Sequence, residues 1–397
     1  MDEGQTQSEE DHLKSFTKLD LYSSQTRDDK KPGPTEDPVS RTNLSLDGLN
    51  PDFGLTEAAR ARIAAMPDHK TIPQAEDLVP TPRQERELAT LEILTAPDSG
   101  QAIEALKVNW PDRSNDKPIN QEVTVVLPAY LADPTDGPAH ETVRQLAMQM
   151  PDRPLLAISQ PKLTRDQRQA LDQRGDLGPT AGAILGAIQA QGITDVNLVG
   201  RSMGAWTAST MAAMAHDYGI TVHEAVLIES ANAGVSGKDI AKGFLREIAK
   251  KYPDLYHAQD PQMRHAARMD RSTLAKSAWE ATQFIKPLLR GRARDTVVRY
   301  PKGMAGGTLE GELDVALTHQ DHLAVTLVNG GIDPISTNAA NDAVANHLNA
   351  EHGPDSKGFN RVTRIIHPGA PHSNLENAKD TATIVRQRLE LSDHPAT

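Results

Sequence analysis

Cysteine is absent from the 397 residues, which removes disulfides, thiolate metal sites and cysteine nucleophiles from consideration. Aromatic residues are scarce, at 4%, so a core has to be built from aliphatic side chains. No run approaches the roughly 18 apolar residues of a membrane-spanning helix, so no membrane span is expected. Basic residues number 42 against 54 acidic ones, a formal net charge of −12. A nucleic-acid binder usually carries a basic footprint, so no nucleic-acid partner is expected. The first residues, MDEGQTQSEEDH, lack the basic start and apolar stretch of a secretory signal, and a cytoplasmic protein is the expectation.

Residues 1–40 hold ten acidic and five basic side chains and few large apolar ones. Such a segment buries too little apolar surface to offset its ordering entropy, and the expectation is a disordered acidic tail. Residues 41–87 are rich in proline and polar groups, with one short helical pattern at Thr56–Ala65, and read as an N-terminal extension.

From about residue 88 the pattern changes. Short apolar runs stand at 89–96, 103–110, 123–130, 154–160, 196–200, 224–230, 323–330 and 361–368. VTVVLPAY (123–130) is the strongest strand among them, β-branched and bounded by polar residues. Helical spacing separates many of these runs: Thr142–Met150, Pro179–Gln191, Met203–Tyr218, Thr337–Asn349 and Asn374–Leu391. Apolar strands alternating with helices predict an α/β fold, a mostly parallel sheet of about eight strands covered on both faces. The core spans 88–233 and 323–397. The stretch 234–322 shows no convincing strand and two amphipathic patterns, one on Ile240, Phe244, Leu245 and Ile248, the other on Leu274, Ala278, Trp279, Ile285 and Leu288. It reads as a helical cap inserted over one end of the sheet.

Residues 200–204 are Gly-Arg-Ser-Met-Gly, a G-x-S-x-G pattern. Alone it is weak. Its setting strengthens it: the apolar VNLVG runs into it and the helical MGAWTASTMAAMA leaves it. Side chains at positions 200 and 204 would collide with the flanking strand and helix, and glycine removes both. Ser202 then stands at a strand's carboxyl end, and the backbone N–H of Met203 points where an oxyanion would form. An ordinary serine at a strand–helix turn is the plainer alternative.

On GRSMG, the element order and two later sites, residues 89–391 resemble the serine-nucleophile branch of the α/β-hydrolase superfamily, the esterase- and lipase-like enzymes. The resemblance implies a Ser-acid-His triad in that chain order and a second oxyanion N–H after the third strand. The base falls in the loop HPGAPHSN, where His372 matches the family's histidine and His367, at the strand end, is the competitor. The acid falls in GIDPIS, where Asp333 follows a strand and precedes Pro334; Glu229, ending the preceding strand, is its rival. The second N–H falls in Pro128-Ala129-Tyr130-Leu131, with Tyr130 first and Leu131 next. Family members commonly carry His-Gly there, and this chain has Pro-Ala.

The expected activity is therefore hydrolysis of a carboxylic ester or related small-molecule acyl substrate through an acyl-serine, with no cofactor and no metal. An acyltransferase or C–C bond hydrolase would use the same triad, and a non-catalytic binding protein on this fold is the alternative outside enzymes. Trp206 reads as a packing residue, not a substrate contact. His319 and His322 could share a helix face with Asp321 as metal ligands, although an exposed polar loop is the plainer reading. Glycines 303, 306 and 307 read as a hinge. Residues 234–304 hold fifteen Lys or Arg and seven Asp or Glu, a net of +8. That charge either offsets an acidic body or attracts an anionic substrate.

Overall fold

The computed structural model describes residues 89–111, 122–129, 134, 137–230, 300, 303, 307–331, 333, 335–355, 360–367 and 378–393. The N-terminal tail and extension lie outside these residues, as do residues 231–299 of the expected cap.

All eight apolar runs are strands. They are β1 (Ala89–Thr95), β2 (Ala102–Val108), β3 (Val123–Leu127), β4 (Leu155–Ile158), β5 (Asp195–Arg201), β6 (Thr221–Ile228), β7 (Ala324–Gly330) and β8 (Val362–His367). They form one sheet in the order β1-β2-β4-β3-β5-β6-β7-β8. β2 runs antiparallel to β1 and β4, and every pairing from β4 to β8 is parallel. Strands buried on both faces have no polar side to show, which is why β3 reads VTVVL and is buried at all five positions.

Seven α-helices are described: α1 (Gly137–Gln149), α2 (Arg165–Arg174), α3 (Gly178–Ala190), α4 (Met203–Met214), α5 (Leu309–His319), α6 (Asn338–His352) and α7 (Ala378–Asp393). Buried side chains of α3, α4, α5 and α6 share one core cluster with Val123, Val125 and Leu127 of β3. Those of α1 and α7 pack with Val126 on the opposite face. α2 was not expected. RDQRQALDQR is too polar to show an apolar face, and only Gln167, Ala170 and Leu171 are buried. Its ends hold it: Thr164 and Gln167 form a reciprocal capping box, and Gly175 closes it in the left-handed conformation. α5 falls inside the stretch read as a cap, yet Leu309, Leu313, Ala316 and Leu317 pack into the main core. Among the described residues no helix is long and apolar enough to cross a membrane.

Candidate active site

The sheet delivers the carboxyl ends of β5, β6, β7 and β8 side by side along one rim. Ser202 stands on the first. Its backbone is left-handed, at φ 51° and ψ −113°, a region that costs a non-glycine residue on the order of 1–3 kcal/mol and persists only where surroundings enforce it. Here they do. The Ser202 N–H donates to the Ile228 carbonyl at 2.8 Å, and the Ser202 carbonyl accepts from Ala205 and Trp206 at 3.1 and 3.2 Å. A Cβ on Gly200 would lie 2.4 Å from the Gly204 oxygen, and one on Gly204 would lie 2.1 Å from the Leu127 oxygen and 2.5 Å from that of Pro128. The end of β3 is therefore pressed onto the elbow, close to where the Pro128–Leu131 loop departs. Met203 is fully buried and begins α4. The first N–H groups of a helix have no partners inside it and carry its positive end, so this turn suits an oxyanion. Tyr130 and Leu131 lie outside the described residues.

Glu229 occupies the end of β6, also left-handed at φ 54°, with its N–H on the Val328 carbonyl at 2.6 Å. The elbow's own arginine binds it: Arg201 Nε and Nη2 reach Glu229 Oε2 at 3.1 and 3.0 Å. The carboxylate that rivals Asp333 thus neutralises the guanidinium beside Ser202.

Asp333 follows β7 and is buried. Its Oδ1 accepts from the N–H groups of Ile335 and Ser336 at 2.7 and 2.9 Å, which fixes the carboxylate's direction. Behind the loop, Arg364 of β8 donates to Asn329 Oδ1 and Asp342 Oδ1, each at 2.5 Å, and to the Asn338 carbonyl at 2.9 Å. Asn338 Nδ2 reaches the Gly331 carbonyl at 3.4 Å. Both ends of the acid loop are thus tied to one buried guanidinium, which burial lowers to about 10 although Asp342 raises it. β8 ends at His367, paired with Gly330. The loop beyond it, with His372, lies outside the described residues.

No family model matches this sequence, and no curated protein matches it. Solved structures do. MGS-M2, an alpha/beta hydrolase enzyme from a Medee basin deep-sea metagenome library, matches with a TM-score of 0.50 and 16% identity over 77% of this chain and 98% of that one. The chain has the α/β-hydrolase fold. Esterase RhEst1 from Rhodococcus sp. ECU1013 matches at a TM-score of 0.45 and 13% identity, over 76% of this chain and 98% of that one. A hyperthermophilic esterase from the archaeon Pyrobaculum calidifontis matches at 0.45 and 15%, over 76% and 85%.

In this hydrolase fold a small, mostly apolar cleft, with room for about one water, lies at the carboxyl ends of β3 and β4. Leu127, Pro128, Ile158, Leu177, Ile184 and Tyr300 line it, with the polar edges of Ser159, Gln160, Thr180 and Thr207. The histidines of the HQDH segment face elsewhere. His319 stacks on His216 with ring centroids 5.4 Å apart, and His322 lies 5.7 Å from His223. No group of three or more His, Asp or Glu among the described residues is arranged for a metal ion. Sequence reasoning passed over Arg201 and Arg364. An arginine inside a buried strand such as VTRIIH is itself a signal, because a charge there needs partners.

Proposed function

We propose that this protein is a serine hydrolase that cleaves a carboxylic ester or related acyl substrate through an acyl-serine intermediate. One observation carries the reading: Ser202 is held left-handed between two glycines that admit no side chain, at the first turn of α4. Ordinary strand–helix turns do not sustain that strain, whereas a nucleophile presented clear of its own backbone benefits from it.

In this reading His372 removes the Ser202 proton as Oγ attacks the acyl carbon. The oxyanion accepts from the N–H groups of Met203 and Tyr130. His372 then protonates the leaving alcohol, and a water activated by the same histidine releases the acid and restores Ser202. Asp333 orients His372 and stabilises its charged form; the two backbone bonds to Oδ1 keep that carboxylate from turning away. The chemistry needs no metal or organic cofactor.

A fluorophosphonate probe with peptide mapping tests the reading. Labelling at Ser202, lost in Ser202→Ala together with turnover of a short-chain ester, is the expected result; the loss should be on the order of 10⁴-fold or more. Turnover that survives in Ser202→Ala refutes the nucleophile, and a folded wild type with neither labelling nor turnover points to a binding protein on this fold.

A further inference from the structure

Glu312 on α5 is half-buried among donors from α4. Trp206 Nε1 and Thr210 Oγ1 each reach its Oε1 at 3.1 Å, and the Ser209 hydroxyl bonds Oε2. Thr308 adds a further side-chain bond. Acyl transfer makes no use of this carboxylate, yet a carboxylate drawn partly out of water keeps such a place at least cost when it is bonded as fully as this. Its three partners on α4 lie within the first two turns after Ser202. Trp206 is the closest, and its own N–H donates to the Ser202 carbonyl at 3.2 Å. The indole is fully buried. Gly303 lies so close that a Cβ there would sit 2.5 Å from Trp206 Cη2, and Met203, Tyr300 and Ile335 share its apolar cluster with Leu163, Leu171 and Leu177.

We propose that Glu312 is a positioning residue for the nucleophile, tying the first two turns of α4 to α5 and so holding Ser202 in its strained backbone. The proposal rests on Ser202 being the nucleophile. The strain at Ser202 can relax only if its flanks move. Arg201 and Glu229 anchor the strand side, and Glu312 anchors the helix side through Trp206. Tyr300 and Gly303 pack against the same indole.

The network accommodates both protonation states. Ionised, Glu312 accepts from Trp206, Ser209 and Thr210. Protonated on Oε2, it donates to Ser209, whose hydroxyl turns to the Trp206 carbonyl, 2.9 Å away. Burial pushes Glu312 upward and the four donors oppose it. Glutamine reproduces the neutral form, with its amide N–H₂ in place of the acid proton, whereas alanine leaves the indole N–H without an acceptor.

The test uses the full chain as wild type, Glu312→Gln, Glu312→Ala and Trp206→Phe. It reads the rate of fluorophosphonate labelling at Ser202, kcat and KM on a short ester, and amide exchange across residues 200–210. Loss of positioning should slow labelling and kcat in Glu312→Ala by about ten- to a hundredfold with KM little changed. Exchange at the start of α4 should quicken, and Glu312→Gln should recover most of the rate. Trp206→Phe, which keeps a ring but deletes the donor, should fall between and keeps the test decisive if Glu312→Ala does not fold. Folded Glu312→Ala or Trp206→Phe labelled at the wild-type rate overturns the positioning role alone, leaving Glu312 a stability residue. A wild type not labelled at Ser202 overturns the nucleophile reading and this role with it.

Discussion

Gly204→Ala is the sharpest perturbation available at the elbow, because the atoms in its way are backbone. The added methyl would stand 2.1 Å from the Leu127 oxygen, 2.5 Å from the Pro128 oxygen and 2.7 Å from the Leu127 carbonyl carbon. Relief requires β3 and α4 to separate by about 1 Å, and inserting one methylene into packed structure already costs roughly 1–3 kcal/mol where side chains can yield. Here none can, so the loss should reach or pass the upper end of that range. The same displacement moves Leu127 and Pro128 away from the Ser202 turn, and a shift of about 1 Å in a catalytic group can cost 10²-fold in rate. Gly311→Ala is the control. It lies in α5, solvent-exposed and without a positive φ, and nothing lies within 4 Å of its added Cβ. It should stabilise the protein by about 0.5–1 kcal/mol through helix propensity alone. Thermal unfolding and kcat/KM on one ester, measured side by side, check both. A Gly204→Ala protein with wild-type stability and turnover would refute the close approach of β3 to the elbow and the reading built on it.

Asp333→Asn should cost roughly 10⁴-fold in kcat near neutral pH, as in the serine-protease precedent; Glu229→Gln, which weakens the Arg201 contact, should cost far less, and the reverse ranking on the same ester would transfer the acid to Glu229. Arg364→Met removes the buried cation that holds Asn329, Asn338 and Asp342; because Asp342 keeps access to water, the loss should fall below the roughly 3–5 kcal/mol of a fully buried pair broken from one side, read by thermal unfolding, with kcat lowered further through the Asp333 loop. The raised Glu312 carboxyl means that the folded state holds this proton more tightly than the unfolded chain. Its contribution to stability is therefore greatest at low pH and is lost as pH rises from the ordinary glutamate value through the folded one. Denaturant titrations across that window should show a shallower pH slope in Glu312→Gln. If the net +8 of residues 234–304 recruits substrate, kcat/KM for an anionic ester should fall with added salt while that of a neutral ester of equal size holds steady; equal responses would reject recruitment.

The sequence by itself determined the parts whose physics is local. The inner strands such as β3 and β4 are short apolar runs, legible because a strand buried on both faces must be apolar throughout. The elbow is equally local: strand, GRSMG and helix lie within about twenty consecutive residues, and the glycines are required by atoms close in the chain or at the adjacent β3. Local composition misled where burial was thin or distant. The polar α2 is held by its caps, and the apolar period of α5 does not state which surface it covers. Only the tertiary structure decided that α5 packs on α4 and that Glu229 faces Arg201, 28 positions away. It alone showed that Arg364 clamps both ends of the acid loop, and that Trp206 meets a carboxylate 106 positions along the chain. The physical reason is common to the last three. A charge buried from water must find its partners wherever the packed helices and sheet bring them, and neither spacing nor composition encodes that meeting.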